Sequence, residues 1–271
     1  DWSSDVCSSD LALKFNNEAR NARILSVGAY RPKRVVPNSE IVDKIDSSDE
    51  WIQQRTGIVT RHFADENESL IDMTVKASEI AIKRAGLKPS DIDAVIFATI
   101  SYPYQAPSAA TELIARLDTP HAAAFDISAA CAGFCYGVGL ANDLVRNKTA
   151  NYVLVIGAEK LSDFTDPYDR ATAFIFADGA GAVVIGPSED VGIGPTIWGS
   201  TAETRDAILL EPSYLEYKKN PGKLDLGWPN IAQQGQTVFR WAVYELAPIA
   251  KNAIAAAGLK PRSEEHTSEL Q

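Results

Sequence analysis

Three short runs, AVIFAT (94–99), AAAFDIS (122–128) and YVLVIGAE (152–159), are apolar on both alternating faces. A strand of that kind has to be covered on both sides, as strands in sheets flanked by helices are. Between the runs lie segments with helical spacing. SLIDMTVKASEIAIKRAG (69–86) is amphipathic and closes on Gly86. PSAATELIARL (107–117) has Pro107 to open it, and CAGFCYGVGLANDLVR (131–146) comes after the second run. ARILSVGAY (22–30) reads as a further strand, and FADGAGAVVIG (176–186) as a strand with a glycine-rich approach. NSEIVDKI (38–45) and SDEWIQQR (48–55) read as short helices, the first capped by Asn38 or Ser39. Buried strands alternating with helices predict an α/β fold with mainly parallel pairing.

One phrase occurs twice. Residues 81–89 read AIKRAGLKP and residues 253–261 read AIAAAGLKP, agreeing at seven of nine positions. Each closes a long amphipathic stretch, the second running over about 236–257 with Pro248 inside it. The repeat points to a duplicated unit. Under that expectation a strand like DAVIFAT would come after Pro261. The residues at that place are instead RSEEHTSELQ (262–271), and the chain opens on DWSSDVCSSDL (1–11). Neither flank has periodicity, and both resemble translated sequencing-adapter read-through. They are set apart as foreign or disordered, leaving an N-terminal half at 12–188 and an incomplete second half at 189–261.

The net charge of −10 argues against nucleic acid as a partner. No apolar run approaches the ~20 residues of a membrane-spanning helix. The only cysteines are Cys7, Cys131 and Cys135, which gives no disulfide framework and suits a reducing, cytoplasmic setting. Cys131 stands where a strand runs into a helix. Unpaired backbone N–H groups and the helix dipole favour an anion there, and the thiolate is the nucleophilic form. Ala129, Ala130, Ala132 and Gly133 leave room around it. Spacing alone leaves two readings open, a nucleophile and a small buried cysteine. Cys135, one helical turn further on, reads as core packing.

The motifs SSDEWIQQRTGI (47–58), SAACAGF (128–134), DPYDR (166–170), FADGAGA (176–182) and GQTVFRWAV (235–243), in that order, resemble β-ketoacyl-ACP synthase III. The resemblance covers about residues 22–261. It implies a thiolase-like five-layer α/β fold of two similar halves, here with a complete first half and a partial second. It implies an acyltransferase that initiates fatty-acid synthesis. An acyl group passes from coenzyme A to Cys131, and malonyl-ACP then condenses with the thioester as carbon dioxide leaves. No cofactor or metal is implied, since the coenzyme A thioester is a substrate. Acyl-CoA and malonyl-ACP are the expected partners, in a homodimer. The resemblance places Trp51 and Arg170 on the two faces of the adenine, and Ser47 and Arg55 near the nucleotide and its phosphates. Gly235 and Phe239 would line the pantetheine channel, with Gln236 a departure from the expected Asn. Arg240 would dock the acidic ACP. Ala106 would sit in the loop that caps the partner's acyl pocket, with Tyr102 and Tyr104 close enough to refill the space. FADGAGA lacks the spacing of a phosphate loop, and its glycines read as close packing near a strand base. The family's catalytic His and Asn belong to the second half. His62 and His121 match neither, so the chain as given is expected to be inactive in condensation. Two alternatives remain: a polyketide-starter or quinolone-type synthase on the same fold, and a non-catalytic acyl-CoA-binding fragment.

Overall fold

The computed structural model describes residues 19–220 and 227–260. Both flanks set apart above, with Cys7 and His266, lie outside the described residues. In chain order the elements are β1 (Asn21–Tyr30), β2 (Arg34–Pro37), α1 (Asp49–Thr56), β3 (Thr60–Phe63), α2 (Leu70–Arg84), β4 (Ala94–Ala98), α3 (Ala109–Leu117), β5 (Ala123–Ile127), α4 (Gly133–Arg146), β6 (Val153–Lys160), β7 (Asp178–Ser188), β8 (Ile208–Glu211), α5 (Tyr214–Lys219), β9 (Asn230–Gln233) and α6 (Gly235–Ala256).

Five strands form one sheet in the order β1-β7-β6-β4-β5. Its two faces explain the continuous apolar runs. On β4 and β6, Val95, Phe97, Leu154 and Ile156 join a core with α2 and α3. Their neighbours Ala94, Ile96, Val153 and Val155 join a second core, with Ala141 and Val145 of α4. Every residue of β4 and the first four of β6 are therefore buried, on alternate sides.

Pairing is mixed rather than mainly parallel. β4 runs parallel to β5 and β6, whereas β7 is antiparallel to both β6 and β1. The reason is local: no α-helix lies between β6 and β7, only a 3-10 turn at Leu161–Phe164 and a loop, so the chain turns straight back. β5 departs from expectation too. Among the described residues it pairs only with β4, and its residues are half-buried or exposed, so it is an edge strand there. The short helix expected over 38–45 is two 3-10 turns, Asn38–Glu40 and Val42–Lys44. Asn38 caps neither. It is buried, with its amide donating to Asp49 and to the Ile58 carbonyl and accepting from Arg61. Pro107 does not open α3; Ser108 is its cap and accepts from Thr111 N–H.

Both copies of the repeated phrase end a helix in the same way. Gly86 and Gly258 have φ of 71° and 70°. Leu87 N–H reaches Ile82 O at 3.2 Å, and Leu259 N–H reaches Ile254 O at 3.0 Å. This is the glycine-terminated helix end, made twice with matching bonds. α6 continues through Pro248 as one helix.

Candidate active site

The parallel strands β4 and β5 end on the same side of the sheet, and the chain leaving β5 builds the nucleophile turn there. Residues Ala130–Ala132 form a 3-10 turn, and α4 begins only at Gly133, two residues later than the sequence suggests. Ala130 is held at φ 44°, in the left-handed region that non-glycine residues seldom occupy. Cys131 is exposed, with a free thiol. No side chain caps α4, so the cysteine stands before a helix start whose first N–H groups have no side-chain acceptor. α4 is pressed against the sheet by glycine. A Cβ on Gly133 would stand 2.9 Å from Ala98 Cβ, and one on Gly137 2.8 Å from Val155 Cγ1. Those distances are below any real Cβ contact, so the seat of the turn requires both glycines.

Cys135 is also exposed, against the core-packing expectation. α4 buries Gly133, Gly137, Ala141 and Val145. At ~100° per residue, position 135 is about 200° from 133, on the side away from the sheet. Exposure thus fits neither the small buried cysteine read for Cys131 nor the core packing read for Cys135.

A second cluster forms on α1. Ser48 caps that helix by accepting from Trp51 N–H, and Gly57 closes it. The i, i+4 spacing puts Arg55 Cζ 4.3 Å from the Trp51 ring centroid, and Arg170 Cζ lies 5.4 Å from the same ring. Phe174 meets the ring edge-on at 5.3 Å. The Ser47 hydroxyl is buried without a hydrogen-bond partner among the described residues. The four residues expected to meet a nucleotide are on adjoining elements, and Trp51, Arg55 and Arg170 touch. Arg170 also faces Asp46 at 3.9 Å in an exposed pair, which holds it weakly. Below them Arg61 is buried, donating to Val36 O, Asn38 and Phe174 O. Its partners are neutral, and burial lowers its pKa from the usual guanidinium value. Sequence reading missed Arg61 and Phe174; the RH pair inside a short strand and the first aromatic after DPYDR were the available signals.

Gly235, Gln236, Phe239 and Arg240 lie on the first turns of α6 and are exposed, Phe239 at 72%. Among the described residues no hydrogen bond, ring contact or ion pair joins them to the Trp51 cluster. Ala106 is exposed in the 99–108 loop. Tyr102 OH donates to Glu112 of α3 at 2.7 Å, and the largely exposed Tyr104 packs edge to face on the Tyr102 ring at 5.6 Å. FADGAGA is not a loop: Asp178 starts β7, and its carboxylate accepts from Ala64 N–H and from Ser162 N–H and Oγ. Its glycines are not close-packed either, since Cβ atoms on Gly179 and Gly181 would find their nearest neighbours at 3.5 and 3.9 Å. His62, on β3, has its Nδ1 2.6 Å from Pro32 O. His121 precedes β5, at the opposite end of that strand from Cys131.

Glu159 is a further group that the sequence analysis passed over. It lies near the end of β6 and accepts from Ile100 N–H at 3.0 Å, from Thr99 Oγ1 at 3.1 Å and from Ser101 Oγ. Burial raises its pKa above the ordinary carboxylate value, against the pull of those bonds. An acid inside the apolar run YVLVIGAE was the signal.

Comparison with known proteins gives a consistent result. The family model described as 3-Oxoacyl-[acyl-carrier-protein (ACP)] synthase III matches residues 125–202, which contain the cysteine turn. A β-ketoacyl-[acyl-carrier-protein] synthase III from Streptomyces coelicolor is 52% identical over 256 residues, covering 92% of this chain and 75% of that protein. One from Streptomyces glaucescens is 52% identical over 247 residues, covering 91% and 73%. Among solved structures, the priming β-ketosynthase from the R1128 polyketide biosynthetic pathway superposes with a TM-score of 0.88 at 39% identity, over 92% of this chain and 73% of that one. The 3-oxoacyl-[acyl-carrier-protein] synthase III from Aquifex aeolicus VF5 gives 0.78 at 35% identity, over 89% and 73%. The fold is the thiolase-like α/β fold of these condensing enzymes.

Proposed function

The chain belongs to the β-ketoacyl-ACP synthase III family, and on that premise we propose how its residues carry out the family's condensation, the step that initiates fatty-acid synthesis. The Cys131 thiolate attacks the carbonyl carbon of an acyl-CoA. The carbon–sulfur bond to coenzyme A breaks, and the acyl group stays on Cys131 as a thioester while CoA leaves as a thiolate. Malonyl-ACP then loses carbon dioxide. The carbanion attacks the thioester carbonyl, and Cys131 is released as its thiolate. The carrying observation is Cys131 itself, exposed on a turn that glycines seat directly on the strand ends.

In this reading Trp51 takes the adenine on one face and Arg170 closes on the other. Two stacking contacts of ~3.5 Å need about 7 Å between the flanking groups. Arg170, now 5.4 Å from the ring and more than half exposed, swings outward to admit the base. Arg55 and Ser47 approach the nucleotide and its phosphates, and Arg61, held by Val36 O, Asn38 and Phe174 O, braces the layer beneath them. Gly235 and Phe239 line the pantetheine arm, Arg240 meets the acidic carrier protein, and Ala106 leaves the acyl pocket wide. The enolate formed on decarboxylation needs donors aimed at it. Neither His62 nor His121 is placed to supply one, so we read the chain as given as competent in acyl transfer and inactive in condensation. The unpaired outer edge of β5, where Phe125 is exposed, is the place for a second copy in a homodimer. The halves divide near residue 188, and the setting is the cytoplasm; among the described residues no helix is long and apolar enough to cross a membrane.

The test is incubation with acetyl-CoA followed by peptide mass mapping. An acetyl adduct on Cys131, absent from Cys131→Ser, is expected. An adduct on Cys135, or on neither cysteine, sinks the assignment. The polyketide-priming reading keeps its place because of the 0.88 superposition, and a preference for longer or branched acyl-CoA favours it.

A further inference from the structure

We propose that Glu159 and Asp126 are positioning residues that grip the two ends of the 99–108 loop and thereby set the choice of acyl primer. The proposal rests on the reading of that loop as an acyl-pocket cap and deepens it. The loop leaves β4 at Ala98 and enters α3 at Ala109. At its entry Glu159 receives Ile100 N–H, Thr99 Oγ1 and Ser101 Oγ. Ser101 Oγ in turn accepts from Lys160 N–H at 2.9 Å, so the loop root is tied to β6 from two consecutive residues. At its exit the Asp126 carboxylate of β5 accepts from Ala109 N–H at 2.7 Å and Ala110 N–H at 2.9 Å. Between the grips the chain is unlike its ends. Ser101 and Ala109 are buried, while residues 103–107 are exposed.

These bonds have a cost that structure alone does not require. A largely buried carboxylate is unfavourable unless well paired, and an apolar residue would fill the place at lower cost. Glu159 directs its oxygens to three successive loop residues and to no cation among the described residues. Its position also ties the loop to the nucleophile. Thr99 N–H donates to Ile127 O at 3.4 Å, and Gly133 rests on Ala98, the residue just before the loop. Loop root and cysteine turn therefore share one seat at the ends of β4 and β5. Whichever protomer's pocket the exposed tip covers, its height is set from this root.

The experiment compares rates of Cys131 acylation by acetyl-, isobutyryl- and hexanoyl-CoA, read by intact mass, for the full chain and for Glu159→Gln, Glu159→Ala and Ser101→Ala. Each rate is divided by the rate of Cys131 alkylation by iodoacetamide, which reports any general loosening of the turn. Freeing the root lets the tip retreat, so the hexanoyl-to-acetyl ratio should rise by about 10-fold in Glu159→Ala, the scale of methylene discrimination in an apolar pocket. Smaller rises are expected in Ser101→Ala and Glu159→Gln. Ser101→Ala removes a single hydroxyl and keeps the test alive if Glu159→Ala does not fold. An unchanged ratio, or a fall equal for all primers and matched by the alkylation rate, overturns the proposal while leaving the acyl-transfer reading intact. A parent chain acylated by none of the three overturns both.

Discussion

α2 and α6 end in nearly the same nine residues and live in different surroundings. α2 buries eight of its residues between β1, β7 and α3, among them Met73, Ala77 and Ile82. α6 is longer and richer in apolar side chains, yet none of its residues is buried; Phe239, Val243, Tyr244 and Leu246 are exposed. Their C-terminal caps are nonetheless alike bond for bond. The stop of a helix is thus a local property, written in a glycine that can take positive φ. Its burial depends on which sheet lies beside it. Only two short strands, β8 and β9, pair in the second region among the described residues.

The contrast can be broken most decisively through the core. Ile82 is 3% exposed, and Ile82→Ala should cost about 2–5 kcal/mol, as for aliphatic truncation in packed interiors. Its counterpart Ile254 is only half-buried, and Ile254→Ala should cost under about 1 kcal/mol. Urea midpoints measure both; equal losses would show that α6 is as well packed as α2. The caps sharpen the comparison from the other side. Gly86→Ala and Gly258→Ala each place a Cβ in the left-handed region, for about 1–2 kcal/mol. Equal helix loss by far-UV circular dichroism on heating is expected despite the unequal burial.

The N-terminal ends differ as well. Ser69 and Asp72 form a reciprocal capping box on α2, whereas Gln234 gives α6 no side-chain cap. Ser69→Ala should lower stability by about 1 kcal/mol, while Gln234→Ala should leave it unchanged. The smallest effect is in pH. The Ser69 hydroxyl first, and Arg116 second, hold Asp72 down at a pKa of about 2. A carboxyl depressed in the folded state lends stability above its unfolded pKa of ~3.9 and loses it as pH falls through the folded value. Asp72→Asn should therefore flatten the acid side of the stability curve between about pH 4 and 2, by under about 1 kcal/mol given the exposure of the pair. A curve of unchanged slope would remove Asp72 from the account.

Much of this was legible beforehand because strands buried on both faces leave an unmistakable run. AVIFAT and YVLVIGAE split cleanly into two cores, and the apolar stripe of α2 faces the sheet. Strand direction was not legible from the runs. It lay in the absence of a helix between β6 and β7, a negative signal that composition does not carry. AAAFDIS misled because its apolar residues suit an interior, while the strand is placed at an edge. At the site, Trp51, Arg55 and Arg170 were found through their motifs and do touch. Glu159 and Asp126 escaped, since a single polar residue in an apolar run says that a partner exists without naming it, and Arg61 escaped because TRHF looks like surface. Cys135 was misjudged because only the angle around α4 separates a packed position from an outward one.

Gly133 and Gly137 make the height of Cys131 above the strands a one-way adjustment. With hydrogen in place of a side chain, α4 already lies as low as a helix can. Any substitution at either residue adds atoms beneath it and raises the sulfur, and none can lower it. Variation at these positions can only lift the reacting atom outward, so this site has a floor that sequence drift can leave but never go below.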